Sequence, residues 1–171
     1  MNSFKEISPF SLTENPFKLI GKDWLLVTAE HNQQCNMMTA SWGGMGILWN
    51  KPVAFTFIRP QRYTFGMLEN SEYCSLCVLD ESYRNVLTFC GTKSGRDVDK
   101  IKATSLTLEH IDGVPYFAEA KTVMIVKKLY AQNMNADSVT DTATVSKNYC
   151  PDGSDWHKMY INEIVKVLVK E

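Results

Sequence analysis

The chain has 171 residues, 44% of them hydrophobic and 22% charged, with a formal net charge of -1. That mix describes a folded chain and lacks the basic excess of a nucleic-acid binder. No apolar run reaches the roughly 20 residues that span a bilayer. The N-terminus holds no apolar core of signal-peptide length, and five scattered cysteines make a poor disulfide framework. One cytoplasmic domain over residues 1–171 is therefore expected, bound neither to nucleic acid nor to a membrane.

Taken in order, residues 1–16 read as a polar lead-in that ends at Asn15-Pro16. Phe17–Ile20 and Trp24–Glu30 are strand-like, joined by a Gly21-Lys22-Asp23 turn. Asn36–Trp42 makes a third strand and Gly43–Lys51 a glycine-rich loop. Pro52–Arg59 is the clearest strand: Val53, Phe55 and Phe57 share one face, Ala54, Thr56 and Ile58 the other. Both faces are apolar, as in a barrel wall near a subunit contact. Thr64 is placed to cap a short helix over Phe65–Glu69, and Glu72–Asp80 returns as a strand. Residues three apart on a strand face opposite sides, so Cys74 and Cys77 should not meet. Ser82 would cap a helix over Tyr83–Cys90 that stops at Gly91, and Asp97 one over Asp97–Thr104. Thr107–His110 and Pro115–Phe117 flank an Asp-Gly turn. Lys121–Gln132 is a β-branched strand, Asn133–Asp155 is polar and irregular, and His157–Lys170 closes the chain, with Val165, Val167 and Val169 on one face. Many short strands with two or three short helices describe a mainly β, antiparallel barrel rather than a parallel nucleotide fold.

The chemistry concentrates in the stretch from Asn36 to Thr64. Arg59 and Arg62 flank the end of the strongest strand, beside Tyr63 and Thr64. They are either solvated arginines or a planar, bidentate site for an anion. Thr39 and Ser41 alternate, so their hydroxyls point one way, either outward or toward a ligand. Met45, Trp42 and Trp49 could line a flat apolar pocket or belong to the core. Lys93–Lys100 offers a second anion cradle in Ser94, Gly95 and the nearby cations; Asp97 there fits equally as a helix cap. The three histidines show no metal-ligand spacing, so no metal is expected. No nucleophile–base pair stands out either, which leaves cofactor-borne chemistry open and hydrolysis without support.

The run NMMTASWGGMGILWNKPVAFTFIRPQRYT resembles the central motif of the flavin reductase-like FMN-binding split-barrel family, particularly its flavoredoxin-type members. Three more segments agree: Asn15–Trp24, Cys90–Lys100 and Asp155–Ile164. One departure is Asn162, where related sequences often carry glycine. The resemblance implies a six-stranded Greek-key split barrel that dimerises, with FMN in a groove near the dimer contact. It implies that Met37, Met38, Thr39, Ala40, Ser41 and Trp42 border the isoalloxazine, with Asn36, Thr39 and Ser41 supplying polar contacts. Arg59, Arg62, Tyr63 and Thr64 would hold the phosphate and ribityl chain, and Ser94, Gly95 and Lys100 the second cradle. His157 would lie near the flavin face. The implied activity is an NADH- or NADPH-dependent flavin reductase; the alternative is a flavoredoxin-like electron carrier serving a redox protein partner.

Overall fold

The computed structural model describes residues 3–171. Ten strands form in the described residues: β1 Phe4–Ile7, β2 Leu25–His31, β3 Gln34–Ala40, β4 Gly43–Leu48, β5 Lys51–Ile58, β6 Tyr73–Val78, β7 Leu108–Ile111, β8 Val114–Phe117, β9 Thr122–Asn133 and β10 Lys158–Lys170. The main sheet has eight, against the six expected. Its hydrogen-bonded path runs β3-β2-β6-β9-β10-β5-β4, with β1 beside β10 and every pairing antiparallel. The two additional strands are β1, hidden in a polar lead-in, and β4, hidden among glycines. β10 is the hub: its first half pairs with β5 and its last residues with β1, while β9 follows it throughout.

Two apolar clusters hold the sheet. One gathers Leu25, Val27, Met38, Ile58, Leu76, Met124, Tyr160 and Val167, side chains from six strands, so the sheet is rolled around them. The other packs Leu26, Met37, Cys77, Val123 and Ile125 from the outer face against Leu87, Cys90, Tyr116 and Phe117. This second layer needs α3 Arg84–Thr92 and the β7–β8 hairpin as its cover. Cys74 and Cys77 fall in different clusters, which is the separation that strand alternation requires. Burying each large apolar side chain contributes roughly 1.5–3 kcal/mol.

Several local expectations give way. Phe17–Ile20 is helical: Asn15 accepts from the Phe17 and Lys18 N–H groups, and Pro16 opens α1 Pro16–Lys18, which runs on into a wider turn over Leu19–Asp23. An Asn–Pro pair is a helix start, and it outweighs the apolar, strand-like character of the run. α2 spans Tyr63–Asn70, so Thr64 is inside it and takes a bond from Asn36 instead of capping. Asp80, not Ser82, caps the 3-10 turn that leads into α3, and Gly91 lies inside that helix. α4 Lys100–Thr104 is capped by Asp99, not Asp97. Val165 is exposed while Val167 is buried, because a bulge between Ile164 and Lys166 resets the alternation of β10. The 133–155 stretch holds a 3-10 turn at Ala136–Ser138 and the short α5 Thr142–Val145.

Candidate functional site

The site lies where the path of strands ends. The close of β3, the Ser41-Trp42 link, the end of β5 and the start of β10 converge on a cavity of about 240 Å³. Thr39, Trp42, Phe57, Arg59, Arg62 and His157 are among its walls. A second cavity of about 180 Å³ opens between the Gln61–Thr64 corner and the Gly91–Gly95 loop, with Lys100 behind it. Arg62 lines both, so the two cavities adjoin at its side chain.

The second cavity is cationic. Arg62, Lys93 and Lys100 line it, and among the described residues no carboxylate does. Lys100 is buried, its Nζ donating to the Met37 carbonyl at 3.0 Å and the Cys90 carbonyl at 2.9 Å. Burial pushes its ammonium down to about 8, and the Arg62 charge works in the same direction. Arg62 donates to the same Cys90 carbonyl at 3.0 Å. Gly95 has no room for a side chain: a Cβ would lie 2.5 Å from the Tyr63 ring and 2.6 Å from Asn36 Oδ1. Ser94 builds the turn locally, its carbonyl accepting from the Asp97 and Val98 N–H groups. Arg96, one of the cations in the Lys93–Lys100 stretch, clips the loop to the corner by donating to the Gln61 carbonyl at 2.8 Å.

The first cavity is more aromatic, with Trp42, Phe57 and His157 in its walls. Trp42 is 43% exposed and packs 4.9 Å from the His157 ring at 39°. His157 itself is buried; burial, reinforced by Arg59 and opposed by Asp155, pushes its imidazole down to about 4. It is therefore neutral at physiological pH.

The expected site residues separate into three groups. Met38, Thr39, Ala40, Ser41, Trp42, Arg59, Arg62 and His157 share the first cavity. Arg62, Tyr63, Thr64, Ser94, Gly95 and Lys100 share the second. Asn36 and Met37 line neither. Asn36 is buried and donates to Thr64 Oγ1 at 2.8 Å, while the Met37 side chain joins the outer cluster and its carbonyl holds Lys100. Thr39 donates to the Leu87 carbonyl at 2.5 Å, tying β3 to α3. Arg59 ion-pairs with Asp155 and donates to the Asn148 carbonyl at 2.8 Å, so its charge is already matched. Phe57 lines the first cavity without having been singled out as a site residue. Its signal was available, because it shares a strand face with Arg59 two residues on. Asn162 is buried in the sheet and donates to the Ala54 carbonyl and to Thr56 Oγ1, each at 3.3 Å, bridging β10 to β5. Among the described residues no group of three or more His, Cys, Asp and Glu could hold a metal, and no helix is long and apolar enough to cross a membrane.

The family profile described as "Flavin reductase like domain" matches residues 18–171. No curated protein is a significant match. Among solved structures, the chain is similar to an FMN-binding domain of a flavin reductases-like enzyme from Shewanella baltica OS155. The TM-score is 0.71 at 14% identity, over 98% of this chain and 78% of that one. It is similar to flavoredoxin of Desulfovibrio vulgaris (Miyazaki F), with a TM-score of 0.66 at 20% identity over 98% and 78%. It is also similar to an FMN-binding protein from Thermus thermophilus with bound 1-cyclohex-2-enone, with a TM-score of 0.65 at 20% identity over 98% and 79%. At these identities the likeness is one of fold, a mainly β antiparallel split barrel with a few short helices.

Proposed function

Because the chain belongs to the flavin reductase-like family, we propose that it is an FMN-binding oxidoreductase that takes hydride from NADH or NADPH and passes electrons to a further acceptor. The observation that carries this reading is the second cavity. Arg62, Lys93 and Lys100 line it without a carboxylate among the described residues, and Gly95 leaves backbone where a Cβ would collide. That is the chemistry of a phosphate cradle, where charge-assisted bonds are strongest.

In this reading Arg62, Tyr63, Thr64, Ser94, Gly95 and Lys100 hold the phosphate and ribityl chain. The Met38–Trp42 backbone borders the ring system, with Thr39 and Ser41 beside it. Asn36 and Met37 act one step back, through Thr64, Gly95 and Lys100. Arg59 serves chiefly to hold the 148–155 segment against the first cavity. Bound FMN supplies the hydride- and electron-transfer chemistry; the chain binds it, orients it and keeps a neutral His157 in the wall. No protein acid or base is required. The chain acts as one cytoplasmic domain and as a homodimer. Support for pairing comes from Trp42, Ile47 and Trp49, which are 43%, 60% and 62% exposed on or beside β4, one end of the sheet path. Exposed Trp42 beside the first cavity also favours a second reading, an electron carrier whose redox protein partner docks at that opening.

The test is an absorbance spectrum after FMN addition and desalting, followed by NADH and then NADPH without oxygen. Retained yellow colour that bleaches with either nucleotide is the expected result. Retained colour that neither bleaches would select the carrier. A fluorescence titration showing no FMN binding at all would overturn both.

A further inference from the structure

The segment between α5 and β10 carries side chains that the functional reading leaves idle. Tyr149 stacks on Trp156, with 4.5 Å between ring centroids and 7° between planes, and Arg59 lies 5.3 Å from the same phenol ring. The segment is tied down at both ends: Asp155 pairs with Arg59 and accepts from the Cys150 N–H at 2.7 Å. So held, the Tyr149 hydroxyl sits 2.8 Å from His157 Nδ1.

The direction of that bond decides what His157 shows to the first cavity. If the phenol donates to Nδ1, the imidazole proton is on Nε2. If Nδ1–H donates to the phenol oxygen, the phenol proton needs another acceptor. Among the described residues that acceptor is the Met134 sulfur, 3.9 Å away. A thioether is a weak acceptor and an unprotonated imidazole nitrogen a good one, so the first arrangement wins. Burial pushes the Tyr149 hydroxyl up from its ordinary range, so it keeps its proton to donate. Nε2 has no partner among the described residues and is not sealed in: among them the buried polar side-chain atom left unpaired is Thr28 Oγ1, on β2.

We propose that Tyr149 is a positioning residue that locks His157 in the Nε2–H tautomer and makes the wall of the first cavity a neutral hydrogen-bond donor. Such a donor suits an uncharged oxygen acceptor, a carbonyl or carboxamide. The cationic second cavity takes the anion. The use of this donor toward a ligand rests on the functional reading above; the tautomer itself does not.

The test is 15N NMR of histidine-labelled, flavin-free protein at neutral pH. His157 is expected to carry its proton on Nε2 as a single tautomer. Tyr149→Phe keeps the ring on Trp156 but removes the hydroxyl, and both tautomers should then populate. Met134→Leu removes the rival acceptor and should change nothing. A proton on Nδ1 in the wild-type protein, or an unaltered tautomer in Tyr149→Phe, would overturn the proposal. If Tyr149→Phe does not fold, the wild-type tautomer decides alone. No flavin is present, so a failure of FMN to bind in a separate titration would strike the functional reading and leave this one standing.

Discussion

Arg59 and Arg62 are three positions apart in the chain and have different roles in the fold. As a sequence they form one pair with one expected use. In the fold Arg59 is spoken for by Asp155, 96 residues further on, and only Arg62 is common to both cavities. No local pattern could have divided them, because the division comes from a side chain in a segment without periodicity. Tyr149 was illegible for the same reason. Gly95 and Lys100 fell within the Lys93–Lys100 cradle pattern, which the resemblance narrowed to those positions, and the fold adds a physical reason for each: a Cβ that would collide, and an ammonium held by two carbonyls. Lys100 carries a pH prediction. A folded-state value lowered to about 8 means the ammonium is mostly charged at pH 7 and largely neutral by pH 9. Binding an anion favours the charged form, so FMN binding must take up a proton at the higher pH. Affinity should weaken by up to about tenfold from pH 7 to pH 9, and Lys100→Met should flatten the profile. Fluorescence titrations of the two proteins at both pH values check this; an equal fall in Lys100→Met would refute the assignment.

Turns and edges account for most of what the chain concealed at the level of elements. The strands with alternating, β-branched character were found almost to the residue, as in β5, β9 and β10. β4 was not, because glycine is poor in strands. It forms because Gly43 lies so close to β5 that a Cβ would stand 2.4 Å from the Phe55 carbonyl oxygen, a site glycine alone can fill. The β2–β3 and β4–β5 hairpins turn through Asn32-Gln33 and Trp49-Asn50, each with positive φ at both residues. Those are the angles of a primed hairpin turn, which Asn-Gly suits best. A non-glycine residue held there costs about 1–2 kcal/mol, partly offset by the greater freedom glycine has when unfolded. Gln33→Gly should therefore stabilise the protein by about 0.5–1 kcal/mol, measured as a rise in the urea midpoint with unchanged slope. A lower midpoint would show that the turn is held by something other than its backbone.

For the whole molecule, the mainly β antiparallel barrel was visible in composition and strand spacing, and Cys74 and Cys77 already announced two faces with different neighbours. What composition could not show is where the roll leaves its gap. That depends on β3 and β4 ending the path of strands while the corners after β5 and before β10 meet between them. The same path leaves β4 at an edge, with Trp42 beside the site at its start and the exposed Ile47 and Trp49 at its far end, where Ile47 pairs with Pro52. In the proposed dimer, Trp42 at the start of β4 would bring the ligand site and the subunit contact to one edge of the sheet. Sedimentation velocity with FMN in the cell, recorded in the visible flavin band, tests it most directly. Flavin absorbance should move with a species of twice the chain mass. Flavin left behind by the sedimenting protein, or moving only with a monomer, would contradict it.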